Sequence, residues 1–138
     1  MTRITIIFSV VAAIFPLATH AGVAPDTDND GIPDVLDKCT LDSRNVSASC
    51  DTDVDGYGNP CDADFDQNLS VASTDFGNFF IPAFKGFVSP SRGQDMDCNA
   101  SVNSTDFGNY FVPKFKGALG GPVPGPSGLA CAGVPGCM

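Results

Sequence analysis

All sixteen acidic residues of this 138-residue chain are aspartate and none is glutamate. Fifteen of them fall into four spaced clusters, and only Asp42 stands outside. Acidity kept for solubility alone would mix the two side chains. Exclusive use of the shorter one suits carboxylates that must converge on one point from a tightly curved backbone, as in a twelve-residue cation loop.

The clusters fit that loop position by position. The first, Asp26 to Asp37, offers Asp26, Asp28, Asp30, Asp34 and Asp37 at positions 1, 3, 5, 9 and 12. Gly31 stands at position 6, where the backbone must turn sharply, and Ile32 at position 7 would contribute only its carbonyl. The second, Asp51 to Asp62, offers Asp51, Asp53, Asp55 and Asp62, with Gly56 at the turn, the Tyr57 carbonyl and Asn59 at position 9. In the third, Asp64, Asp66, Asn68 and Asp75 are the side-chain ligands and Ser70 the carbonyl donor. The fourth repeats this with Asp95, Asp97, Asn99, Asp106 and Ser101, and has Asn103 at position 9. Val71 and Val102 fall at position 8, an apolar slot that can pair with its counterpart in the other loop. Leu69 and Ala100 replace the turn glycine, a conformation costly for a residue with a Cβ. The third and fourth sites, with three carboxylates each, are therefore expected to be weaker or distorted. Oxygen ligands in this number favour Ca²⁺ over Mg²⁺, which keeps its water and suits one or two carboxylates.

An internal repeat organises the second half. Residues 64–86 align with 95–117 at a period of 31 without gaps. Ser-Thr-Asp-Phe-Gly-Asn recurs at 73–78 and 104–109, and Phe-Lys-Gly at 84–86 and 115–117. Each unit reads as a loop followed by a short helix. Ser73/Thr74 and Ser104/Thr105 would cap helices starting near Asp75 and Asp106. Phe76, Phe79 and Phe80, like Phe107, Tyr110 and Phe111, have helical spacing and are expected to form a core shared by the units. Pro82 and Pro113 are expected to stop or kink the helices, and Gly77 and Gly108 to weaken them.

The start reads as a secretory signal peptide, residues 1–21. Arg3 precedes the apolar run Ile4 to Leu17, which is shorter than the roughly 20 residues of a membrane span. No Cys follows closely enough for a lipid anchor. Cleavage after Ala21 would remove Arg3 and the only histidine, His20, leaving six Lys/Arg against sixteen Asp and a formal charge of −10. Such a chain excludes nucleic acid as a partner and repels itself until cations arrive. Four Ca²⁺ would add +8. The six Cys all lie beyond the leader and suit disulfides in an exported chain. No CxxC pair supports a zinc or redox site. Cys131 and Cys137 could close a terminal ring, or Cys98 could take one of them.

Two families share these patterns. Asp26 to Cys39 and Asp51 to Asp62 resemble the thrombospondin type 3 repeat. That resemblance implies a chain wrapped around calcium with little regular structure, braced by disulfides, and a Cys39–Cys61 pair; Cys50 is extra to the pattern. Residues 64–117 resemble a dockerin, which implies duplicated calcium loops each followed by a helix, with positions 10 and 11 (Ser73-Thr74 and Ser104-Thr105) reading a cohesin partner. The chain departs from that pattern in its missing turn glycines, its prolines and its Phe-rich helix face.

Lys85, Lys114 and Lys116 read as solvated charges near helix ends. Asn45-Val46-Ser47 and Asn103-Ser104-Thr105 fit the glycosylation pattern, the second inside a metal loop. Residues 121–128 have the composition of an extended linker. No catalytic constellation is evident, because every acid/base candidate is already wanted as a ligand, so no enzyme is expected.

The expected architecture is a small, mostly irregular, calcium-stabilised fold with few short α-helices. A thrombospondin type 3-like segment (22–62) would precede a duplicated loop–helix, dockerin- or EF-hand-like domain (63–117) and a Gly/Pro-rich tail (118–138). The expected role is that of a secreted, extracellular, periplasmic or cell-surface calcium-binding protein of structural or adhesive type. The alternative is an interaction module for a cohesin-like partner. No membrane span is expected after signal cleavage, and any protein partner would be extracellular or on a cell surface.

Overall fold

Apolar runs broken by Gly, Pro and Asn leave little room for long elements. The computed structural model describes residues 22–44, 50–118 and 121–138. The leader at 1–21 and the Asn45-Val46-Ser47 motif lie outside the described residues. Within them there is no strand, and no helix is long and apolar enough to cross a membrane. A 3-10 turn, Asp34–Leu36, precedes two short helices. Helix α1 is π-helical over Asp75–Phe80 and α-helical over Ile81–Phe84; α2 repeats this over Asp106–Phe111 and Val112–Phe115.

The prolines explain that geometry. In a regular α-turn the rings of Pro82 and Pro113 would meet the carbonyls of Asn78 and Asn109. The turn before each ring is instead widened, with Ile81 N–H donating to Phe76 O and Val112 N–H to Phe107 O. The helices thus run through their prolines rather than stopping there. The Asn109 carbonyl, with no N–H to receive from Pro113, accepts Arg44 Nη1 at 2.6 Å. Thr74 and Thr105 make no side-chain cap bond, and both already have helical dihedrals. At the other end Gly86 and Gly117 adopt φ of +71° and +83°. Paired bonds close each helix there: Gly86 N to Ala83 O with Phe87 N to Pro82 O, and Gly117 N to Lys114 O with Ala118 N to Pro113 O. This left-handed stop favours glycine, and it is the role of the repeated Lys-Gly.

The aromatic stripe is a shared core, as its spacing implies. Phe76 and Phe80 of α1 lie against Phe107 and Phe111 of α2, with ring centroids 5.3–5.8 Å apart. Phe65, fully buried, stacks on both Phe80 and Phe111. Phe65 and Met96 hold position 2 of their loops; flanked by ligands that face one way, they face the core. The equivalent rings Phe79 and Tyr110 are each covered by a guanidinium, from Arg92 and Arg44 respectively. Arg44 also grips buried Asp42, the one Asp outside the loops, through Nε and Nη2.

The position-8 slots do not pair through their backbones. Val71 is buried, and its N–H goes to Pro122 O of the tail. The tail itself is no free linker. Pro126 O accepts Thr40 N, and Gly128 N donates to Asp37 O. Lys114, read as solvated from the sequence, is fully buried and donates to Gly125 O at 2.5 Å, whereas Lys85 and Lys116 are exposed. Burial pulls the Lys114 amine down to about 8, against the opposing charges of Asp62 and Asp42. The disulfides are Cys39–Cys61, Cys50–Cys98 and Cys131–Cys137. The second ties the first Asp-rich segment to the repeat, so Cys98 is not a partner of the tail.

Candidate metal centres

One backbone shape recurs in all four loops. Position 4 is left-handed at Asn29, Val54, Gln67 and Cys98, with φ between 57° and 63°. Position 6 is left-handed as well: Gly31 and Gly56 at +93° and +90°, Leu69 and Ala100 at +65° and +69°. The missing glycines therefore do not change the turn; Leu69 and Ala100 adopt it at a cost of about 1–2 kcal/mol each. What holds the turn is the position-1 carboxylate, which accepts backbone N–H groups from the far side of the loop. Asp26 takes Gly31 N, and Asp51 takes Asp55 N and Gly56 N. Asp64 takes Asn68 N and Leu69 N, and Asp95 takes Asn99 N and Ala100 N.

Each loop gathers three carboxylates whose oxygens lie within 4.8 Å of one another. The triads are Asp26, Asp28 and Asp30; Asp51, Asp53 and Asp55; Asp64, Asp66 and Asp75; and Asp95, Asp97 and Asp106. Each could hold a metal ion. The first two use positions 1, 3 and 5, and the last two positions 1, 3 and 12.

That difference follows from what comes after each loop. In the third and fourth, a helix starts at position 12 and turns the chain back over the loop. Asp75 accepts Asp66 N at 3.1 Å and Ala72 N at 2.8 Å; Asp106 accepts Met96 N, Asp97 N and Asn103 N. In the first two loops position 9 reaches back instead. Asp34 accepts Thr27 N and Oγ1 at 2.7 and 2.8 Å, and Asn59 Oδ1 accepts Thr52 N at 2.8 Å. Asn59 Nδ2 goes to Thr52 Oγ1 and Asp95 O, joining the second loop to the fourth. Asp37 and Asp62 at position 12 lie outside their loops' triads. Each accepts the N–H two residues on, from Cys39 and Asp64.

The carbonyl donors are less defined. Ile32 and Tyr57 donate their N–H groups to Asp30 and Asp55 at position 5. Ser70 and Ser101 are exposed, and Ser101 O accepts Asn103 Nδ2. Asn68 offers its backbone N–H to Asp66, and Asn99 turns its side-chain amide to Asp97 at 2.8 Å.

The electrostatics of the first loop are compatible with a cation. Asp26 Oδ1, Asp28 Oδ2 and Asp30 Oδ2 are shielded from solvent and accept no hydrogen bond. Three shielded carboxylate oxygens crowded without a donor favour either a bound proton or a bound cation. Burial, then the neighbouring Asp30 and Asp26 charges, raise the Asp28 carboxyl. Burial raises Asp55 and Asp64 to about 6, and raises Asp53, Asp75 and Asp97 as well. Asp62 is raised well above its ordinary value by burial and by the Asp55 and Asp53 charges. Lys38 Nζ lies 2.9 Å from Asp51 and partly offsets the second loop's charge, whereas Arg44 pairs with Asp42 outside the loops. Oxygen-only triads on curved backbone suit a hard cation.

Sequence reasoning offered the Cys131–Cys137 ring, which the structure contains, but missed the roles of Lys38, Asp42 and Arg44 and the tail's contacts with the loops. The available signals were a lone Asp two residues before an Arg, and a glycine–proline segment carrying two Cys. No protein-family model, curated protein or solved structure matches the chain.

Proposed function

We propose that this chain is a secreted calcium-binding protein of structural or adhesive type, and that Ca²⁺ drives its folding. The observation that carries this reading is the set of four Asp triads on one recurring backbone turn, the first with three shielded oxygens and no donor. Ca²⁺ rather than another hard cation is favoured by the number of oxygens each loop can offer. The ion binds the assembled loops and not the open chain, so its binding free energy becomes folding free energy. Extracellular modules of this kind bind at about 10⁻⁴ to 10⁻³ M. The three disulfides suit an oxidising compartment. The thrombospondin type 3-like and dockerin-like patterns belong to this reading, which includes no catalytic step.

Calorimetric titration with Ca²⁺, and with Mg²⁺ as control, tests it. At least two Ca²⁺ sites are expected, with little heat from Mg²⁺. Circular dichroism and melting unchanged by excess chelator would overturn the reading.

A second reading, a calcium-dependent docking module, is favoured by one feature. Two apolar grooves flank the α1–α2 pair, of about 220 Å³ beside Phe80, Ile81 and Phe84 and about 300 Å³ beside Phe111, Val112 and Phe115. They are equivalent under the 31-residue repeat, and Phe84 and Phe115 remain about half exposed. Calcium-dependent capture of one cohesin-like protein, abolished by chelator, would favour it.

A further inference from the structure

Three consecutive carbonyls of the second loop are held from outside. Val54 O accepts Gly136 N at 2.7 Å, Asp55 O accepts Gly133 N at 2.7 Å, and Gly56 O accepts Ser127 Oγ at 2.7 Å. These are positions 4, 5 and 6, the left-handed turn that aims the Asp53 and Asp55 carboxylates. All three donors come from the tail. Two of them, Gly133 and Gly136, sit inside the ring closed by Cys131–Cys137. The contact is close: a Cβ added at Gly56 would come within 2.5 Å of Cys137 Sγ and 2.9 Å of Ala132 Cα. Cys137 is itself buried. Among the described residues, no carbonyl at positions 4 to 6 of the other three loops accepts such a bond.

We infer that the C-terminal strap, Ser127 with the Cys131–Cys137 ring, is the outer shell of the second metal site and sets its affinity. The inference rests on the calcium reading above. A loop whose peptide groups are already fixed loses less freedom when the ion arrives, and partners that orient ligands from behind are typically worth about 10- to 100-fold in metal affinity. Among the described residues, the turns at positions 4 to 6 of the other loops are held by their own carboxylates, which the ion must share. The second site is therefore the tightest of the four, and its advantage depends on a segment more than 70 residues away in sequence.

Tyr57 at position 7 makes the second loop observable, in an Asp64→Asn background that silences the third loop, whose Asp64 and Leu69 lie near the same ring. In the full chain carrying Asp64→Asn with Tyr110→Phe, which leaves Tyr57 as the only tyrosine, tyrosine-sensitised terbium luminescence reports the second loop, and calcium competition gives its affinity. Ser127→Ala and the double variant Cys131→Ser/Cys137→Ser are expected to weaken that site about ten-fold or more. Ser127→Thr, which keeps the hydroxyl, should restore it. Calorimetry should show the remaining calcium sites unchanged. Unaltered Tyr57-site affinity in both variants overturns the inference, as does an equal loss at every site, which would mark the strap as a general brace. Absence of any terbium or calcium binding by the parent chain instead overturns the calcium reading itself, and this inference with it.

Discussion

At the scale of single residues, carboxylate spacing and backbone shape carry separate information. In the first two loops the convergence of positions 1, 3 and 5 was legible in the sequence, because side chains two residues apart on a curved chain face one way. The left-handed turn at position 6 was legible only where glycine marks it. Ala100 is exposed and holds φ of +69°, so Ala100→Gly should relieve the turn. The glycine also adds unfolded-state freedom, which leaves a net gain of about 0.5–1 kcal/mol in a calcium-saturated melt. The carboxyls give a second prediction. Asp55 and Asp64 titrate near 6 in the fold and at 3.8 when exposed. Between those values the folded state without metal holds protons that the unfolded chain has released, so its stability falls as pH rises through the window. With calcium the sign reverses, because metal and proton compete for the same oxygens and binding requires the ionised form. Acidification from neutral pH should therefore restore order in chelator and weaken calcium binding. Circular dichroism and calorimetry at two pH values check both arms.

At the scale of elements, α1 and α2 exist because their apolar stripe has partners, not because their propensity is high. Gly, Asn and Pro in ten residues would not sustain a free helix. Phe65, delivered by the loop before α1, completes the stack against Phe80 and Phe111. The period-3.6 stripe was readable, whereas the π-turn was not, since it arises from a collision between each proline ring and a carbonyl one turn earlier. Lys114 illustrates the same limit. It aligns with buried Ala83 in the other unit, but only the tail's arrival supplies the Gly125 carbonyl and seals it in. Lys114→Ala should cost about 2–4 kcal/mol, by leaving a cavity and an unpartnered carbonyl. Lys85→Ala, on an exposed helix end, should stay within about 0.5 kcal/mol. Denaturant midpoints in saturating calcium would measure both, and equal effects would contradict the packing described for Lys114.

At the scale of the whole molecule, charge and cross-links oppose one another. A chain of formal charge −9 with its carboxylates gathered into four clusters repels itself, while three disulfides and the strap hold the clusters close. Small-angle scattering should show a larger radius of gyration in chelator than in calcium, with much of the difference removed by acid; equal radii would show that disulfides alone suffice. The Asp loops and the aromatic stripe could be read from the sequence because each is a relation between residues a few positions apart, and the 31-residue repeat and the even number of Cys because they need only comparison and counting along the chain. Tertiary structure alone decided that Asp37 and Asp62 stand outside their triads, that Cys50 joins Cys98, that Lys114 is buried and that the tail grips the second loop. Those outcomes depend on which distant backbone groups meet, and no local spacing encodes the direction in which a loop leaves its last ligand.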